Sequence, residues 1–360
     1  AAGAGPKAVV ALAEAACGCR DYAYAERVLA AAEDEILGRS DGELHDAYLR
    51  TRMTALQRGL GLFAEARSML DRFERAIAQT SEAGGERSRL VTLAQRGTLL
   101  LDEGRLADAL DVTDRVLDDP ETAGPLACLS AQTAAAEALA YRGRTAQARE
   151  LHARMRAAAA DGPPEVRIGA SWAVGQEVLC LSVDGRVGEA RTVAAALREQ
   201  TLMVPDPVVR ALAALMLGEV ILRCGKPVTA RRSLLDAADG FADADLSEHL
   251  AWTYALLAQA EAKLGDVEAA AARLDDGLRN RLPARVMRTQ VDFVAADAYV
   301  QMAAGDLSRA ARIARDGDVG ELGVHRARLL HLAVRLGASA GSVRGELNAL
   351  ADEVPSPLVA

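Results

Sequence analysis

A short signature recurs along these 360 residues at a nearly constant interval, and that interval limits the fold more than any other feature. The signature is a Gly followed by Arg, Lys or Asp, then a small polar stretch, then an Ala five residues after the Gly. It reads Gly104-Arg105 with Ala109, Gly143-Arg144 with Ala148, Gly185-Arg186 with Ala190, Gly225-Lys226 with Ala230, Gly265-Asp266 with Ala270 and Gly305-Asp306 with Ala310. Earlier copies are Gly61-Leu62-Phe63 with Ala66 and a degenerate Arg20-Asp21-Tyr22 with Ala25. Successive anchors are 41, 43, 39, 42, 40, 40 and 40 residues apart. Eight copies at so even a period mark a repeat array.

Each copy makes sense as a helical hairpin. A helix of roughly twenty residues ends at the Gly, which takes the left-handed conformation that closes a helix. The next residue opens the second helix, and the small Ala lets the two helices approach. Around Gly104, Leu90, Leu93, Gly97, Leu100 and Leu101 run at helical spacing before the turn, and Leu106, Ala109, Leu110 and Val116 follow it. Breaks between hairpins are punctuated by Asp119-Pro120, Gly162-Pro163-Pro164, Pro205-Asp206-Pro207 and Leu282-Pro283. One hairpin cannot bury its apolar face alone, so neighbours must stack. The expected fold is all-α: an α-solenoid superhelix of about nine helical hairpins, forming a single domain over residues 1–360.

Composition agrees. The chain is 51% hydrophobic, 26% charged and only 3% aromatic, so it is neither disordered nor rich in the aromatic and β-branched residues of a large sheet. No apolar run approaches the roughly 18–20 residues of a membrane span, so a soluble, cytoplasmic protein without membrane contact is expected. A net charge of −9 with interspersed signs argues against direct nucleic-acid contact, which needs clustered Arg and Lys. Cys17, Cys19, Cys128, Cys180 and Cys224 show no metal-ligand spacing and read as reduced, mostly buried thiols. The chain opens Ala-Ala-Gly-Ala and its first Met is Met53, which is the look of a segment cut from a longer polypeptide.

The signature resembles the tetratricopeptide repeat, in which a Leu-Gly pair precedes the turn Gly and Gly-Asp-Tyr and Ala follow. The matching residues are Arg96-Gly97 before Gly104, Leu217-Gly218 before Gly225, and Arg20-Asp21-Tyr22. The spacing here exceeds the usual length of about 34, so each hairpin has longer helices. That variant is similar to the repeat region of the MalT-like regulators, large ATP-binding transcription factors of the LuxR family. The stretch from His331 to Gly337 and on through Leu350 to Val359 is similar to a segment common in actinobacterial members. The resemblance implies a sensor that binds a small-molecule effector or regulatory protein and controls flanking nucleotide-binding and DNA-binding modules. Neither module is in this sequence; its one Gly-Lys pair, Gly225-Lys226, runs into Pro227 and is no Walker A loop. The alternative is a general protein-interaction scaffold with no effector.

Catalytic motifs fail on context. Gly337-Ala338-Ser339-Ala340-Gly341 fits G-x-S-x-G, which needs a strand turning into a helix, and here it falls between helices. Gly3-Ala4-Gly5 and Gly59-Leu60-Gly61 mimic dinucleotide fingerprints without a preceding strand. The five histidines, His45, His152, His249, His325 and His331, form no ligand set and read as surface or satisfied residues. Runs such as Glu33-Asp34-Glu35 and Asp243 to Asp245 read as solvated helix ends. No catalytic residue, cofactor or metal is expected.

A binding face can be nominated from the register. With the turn Gly as position 15, first-helix positions 2, 5, 9, 12 and 13 of a tetratricopeptide hairpin line the concave groove. This places Trp172, Trp252 and Tyr48 at position 2, Tyr299 at position 9 and Tyr141 at position 13. Five of the twelve aromatic residues fall at positions where roughly one or two are expected by chance. Polar residues in the same register are Glu137, Glu219, Arg223, Gln259 and Asp292. The nine of these positions other than Tyr48 form the candidate ligand-binding set. The competing reading is a register displaced by one, which turns Trp172 and Trp252 into hairpin packing.

Overall fold

The computed structural model describes residues 5–39, 41–78, 83–160, 164–204 and 206–355, with the side chains of 83, 84, 159, 160, 164–173 and 342 left aside. Every regular element among them is a helix. Nine hairpins follow one another, with two short extra helices. The first pairs α1 (Pro6–Gly18) with α2 (Tyr22–Ala31), and the short α3 (Glu33–Leu37) follows. The second pairs α4 (Gly42–Met53), continued by a π-helical turn over Thr54–Gly59, with α5 (Phe63–Ile77). The third is α6 (Ala83–Asp102) with α7 (Leu106–Leu117), before the short α8 (Pro120–Ala123). Then come α9 (Pro125–Tyr141) with α10 (Thr145–Ala160), α11 (Pro164–Val183) with α12 (Val187–Thr201), and α13 (Pro207–Arg223) with α14 (Pro227–Asp243). The last three are α15 (Ser247–Leu264) with α16 (Val267–Asn280), α17 (Met287–Ala303) with α18 (Leu307–Asp316), and α19 (Gly323–Arg335) with α20 (Ala340–Glu353). Among the described residues no helix is long and apolar enough to cross a membrane.

The signature residues have the predicted jobs. All seven turn glycines adopt φ between +64° and +89°, and Arg20 holds the same left-handed conformation at +64° in the degenerate first copy. An L-residue there costs about 1–2 kcal/mol, which is why the other copies use Gly. All eight signature alanines, from Ala25 to Ala310, are fully buried. Where an Asp follows the turn it caps the second helix: Asp21 accepts from the Tyr24 amide (3.0 Å), Asp266 from Ala269 (3.1 Å) and Asp306 from Arg309 (2.9 Å). Each such cap contributes about 1 kcal/mol. Close approach explains the earlier Gly as well: a Cβ on Gly97 would lie 2.6 Å from the Thr113 methyl, and one on Gly218 would lie 2.7 Å from Leu234 Cγ.

Two compact units emerge. The first comprises residues 1–103, 107–135 and 282–285; the second comprises 104–106, 136–281 and 286–360. In the first, Tyr48 is fully buried and its ring stacks on Phe73 at 6.2 Å. The register reading put Tyr48 in the groove; the structure puts it in the core, where its hydroxyl meets Arg52. Glu33 is likewise not a solvated helix end. It binds Arg52 (2.8 Å) and Arg72 (3.0 Å), and although burial pushes its carboxyl up, those two guanidinium groups bring it below the usual range.

In the second unit, Phe241, Leu234, Leu256 and Leu257 anchor one apolar cluster, and alanines on α15 with Phe293 form another. First helices α13, α15, α17 and α19 pack in succession, α13 on α15, α15 on α17 and α17 on α19, so their outward stripes share one face. Of the five thiols only Cys180 is fully buried; Cys17, Cys128 and Cys224 are half-buried and Cys19 is exposed, which corrects the expectation of mostly buried cysteines.

Candidate functional site

The second unit collects polar residues on that face. Asp292 on α17 is the centre. Its carboxylate, 3% exposed, accepts from the Trp252 indole N–H of α15 at 2.9 Å and from Arg328 of α19 at 3.5 Å. Its backbone carbonyl accepts from the Gln259 amide at 3.0 Å. One residue thus ties three successive first helices together. Charged bonds of this kind, shielded from water, are worth more than surface pairs.

Around this knot lie two further ion pairs. Arg223 binds Glu219 one turn earlier on α13, and Arg288 reaches both oxygens of Glu137 on α9 at 3.3 Å. Lys263 of α15 lies over the Tyr299 ring with its ammonium 4.4 Å from the centroid, a cation–π contact. Tyr141 is buried and packs against the His325 imidazole, centroids 4.7 Å apart.

The electrostatics show that these residues share one environment. Burial pushes the Glu219 carboxyl up, Arg223 and Arg328 oppose that, and Asp292 adds to it. Burial also raises the Tyr141 phenol far above its ordinary value, reinforced by Glu137. His325 is held well below the ordinary imidazole range by burial and then by Arg328 and Arg223, so the ring is neutral. Lys263 is pushed down to about 8, first by the protein around its ammonium and then by Arg335, Arg328 and Arg223. Its side chain is nevertheless exposed to solvent.

Six of the nominated residues, Glu219, Arg223, Trp252, Gln259, Asp292 and Tyr299, lie on the adjoining helices α13, α15 and α17, and Glu137 and Tyr141 on α9 join them through Arg288 and His325. Trp172 is on α11, and its side chain falls outside the described residues. Trp252 and Tyr299 are half-buried, whereas Tyr141, Glu219, Gln259 and Asp292 are buried beneath them.

The register reading missed five members. Lys263 and Arg335 each lie two residues before a turn Gly, the position that Tyr141 and Arg223 occupy, so the signal was present. Arg335 precedes Gly337, whose φ of +105° makes it the ninth anchor. Arg288 precedes the counted positions, and His325 and Arg328 lie one residue beyond positions 2 and 5 on α19, a local register slip. Two histidines also correct the expectation of surface or satisfied rings. His325 is buried with no partner for Nδ1, and His152 is buried with neither ring nitrogen paired.

No family model and no curated protein matches the chain. Solved structures match its fold. A Rap protein complexed with competence and sporulation factor aligns with a TM-score of 0.63 at 11% identity, over 97% of this chain and 99% of that one. RapI in its apo form gives 0.52 at 12%, over 95% and 98%. The apo form of the quorum sensor NprR from B. thuringiensis gives 0.51 at 15%, over 92% and 98%. At these identities the likeness establishes a tetratricopeptide-like helical repeat solenoid, and function must be argued from the site.

Proposed function

We propose that this chain is the sensor region of a larger regulator, and that it binds an effector or partner on the face formed by α13, α15, α17 and α19. The observation that carries the reading is the polar knot centred on Asp292. A solenoid needs only apolar packing to stack its hairpins, yet here eleven charged, polar and aromatic side chains gather on one first-helix face. The fold neighbours support it, since one was solved with competence and sporulation factor and another is a quorum sensor. Binding would act by shifting small rotations between hairpins, which sum along an array.

The finer reading is a non-enzymatic, cytoplasmic, MalT-like region of a LuxR-family transcription regulator, with residues 1–360 working as one array between nucleotide-binding and DNA-binding modules. Its test is the flanking coding sequence: a Walker A loop upstream and a helix-turn-helix downstream are expected, and their absence from an intact reading frame refutes it. The sensor reading is tested by a Trp172→Phe chain, in which Trp252 is the sole tryptophan. An effector is expected to change its emission saturably. A chain that binds only a protein partner, on a surface insensitive to Trp252 and Asp292 substitutions, is the scaffold alternative.

A further inference from the structure

The charges on this face do not balance. Glu137, Glu219 and Asp292 are matched by Arg288, Arg223 and Arg328. Lys263 and Arg335 add two positive charges, and among the described residues neither has a carboxylate within ion-pair distance. Two buried donors, Arg223 Nε and Arg328 Nη1, have no acceptor. The chain as a whole carries −9, so this local excess runs against the background. Donors left unpaired away from bulk water are unfavourable, and the excess positive charge beside them favours an anionic acceptor.

We infer that the basic cluster of Arg223, Lys263, Arg328 and Arg335 takes a small organic anion carrying at least two carboxylate or phosphate groups. The guanidinium groups of Arg223 and Arg328 are half-buried, and Lys263 and Arg335 are more exposed. An anion binding there meets forked donors and a point charge. Glu219 Oε2 also lacks a partner, so a hydroxyl on the ligand has a ready acceptor. Trp252 and Tyr299, both half-buried, adjoin the cluster through Asp292 and Lys263. The inference rests on the sensor reading and specifies the chemistry of the effector.

The test uses the whole chain with citrate and inorganic phosphate as probes, read by thermal unfolding and calorimetric titration against chloride at matched ionic strength. Citrate, a hydroxylated polycarboxylate, and phosphate separate the two oxyanion sources. At least one is expected to bind saturably and stabilise beyond chloride. Lys263→Gln and Arg335→Gln remove charges that make no ion pair, so both should fold; each is expected to weaken binding about tenfold, and the double variant about a hundredfold. No stabilisation beyond chloride by either anion overturns the inference. So does binding that is unchanged in the double variant, which identifies an adventitious anion. A neutral effector that shifts Trp252 emission while both anions do nothing overturns the anion inference and leaves the sensor reading standing.

Discussion

Replacing Asp292 by Ala should loosen the second unit more than any other single truncation on its binding face. The carboxylate is buried and accepts from Trp252 at 2.9 Å, a charge-assisted bond worth about 1.5–3 kcal/mol. Its pairing with Arg328 at 3.5 Å is longer and 21% exposed on the arginine side, so about 1 kcal/mol is a fair share. The expected loss is about 3 kcal/mol, or about 6–12 °C in Tm for a unit of this size. Asp292→Asn keeps an acceptor for the indole and should lose about half as much. Adding Arg328→Met to Asp292→Asn should recover about 1 kcal/mol, because it removes the cation left unmatched. Calorimetry and Trp252 emission in a Trp172→Phe background read both effects. Variants within about 0.5 kcal/mol of the parent, with unchanged emission, would refute the claim that Asp292 ties the three helices together.

Three further outcomes follow from the packing and the buried histidines. Gly218→Val must displace the fully buried Leu234, 2.7 Å from the new Cβ, and should cost about 2–3 kcal/mol in chemical denaturation; a loss below about 0.5 kcal/mol contradicts the close helix approach. Gly265→Ala meets nothing within 4 Å but is strained at φ +83°, so about 1–2 kcal/mol is expected, with Gly265→Asn losing less. His152 is held at about 4 by burial and then by Arg156, against 6.5 unfolded, so the unfolded chain binds its proton first as pH falls. Stability should therefore drop from pH 6.5 through 4 by about 3 kcal/mol on this account, with His325 acting in the same direction. His152→Leu should flatten that slope in urea titrations, and an unchanged slope assigns the acid sensitivity elsewhere.

The repeat was legible because its chemistry is local. A turn needs positive φ, and a close crossing needs a small side chain; each demand falls at the same place in every copy, the first on the turn residue and the second on the Ala five positions later. Even Arg20 was identified, since its neighbours Asp21, Tyr22 and Ala25 kept the pattern that the missing Gly broke. Site positions were legible only where that register held. Positions 2, 9 and 13 recovered Trp252, Gln259, Asp292 and Arg223, whereas α19 slips by one and hid His325 and Arg328. Tyr48 shows the opposite failure: its position matches that of Trp252, but Phe73 and Arg52 enclose it. Position along a helix says which way a side chain points, and whether it meets solvent depends on neighbours far away in sequence. Charge balance was hidden for the same reason, because Lys263 and Arg335 reveal their lack of carboxylate partners only once four helices are assembled.

Lysine is rare in this chain, occurring only as Lys7, Lys226 and Lys263, and that makes one measurement decisive. In protein labelled selectively at lysine, NMR resolves three side-chain titrations. Lys263 should titrate near 8, while Lys7, whose ammonium Asp41 stabilises, titrates above its ordinary value. A bound anion restores the charge balance around Lys263, so saturating citrate or phosphate should raise its midpoint by about one unit and leave Lys7 and Lys226 in place. A Lys263 that titrates near 10.5 without ligand, or three lysines that move together or not at all, would contradict a built, anion-seeking sensor site on this face.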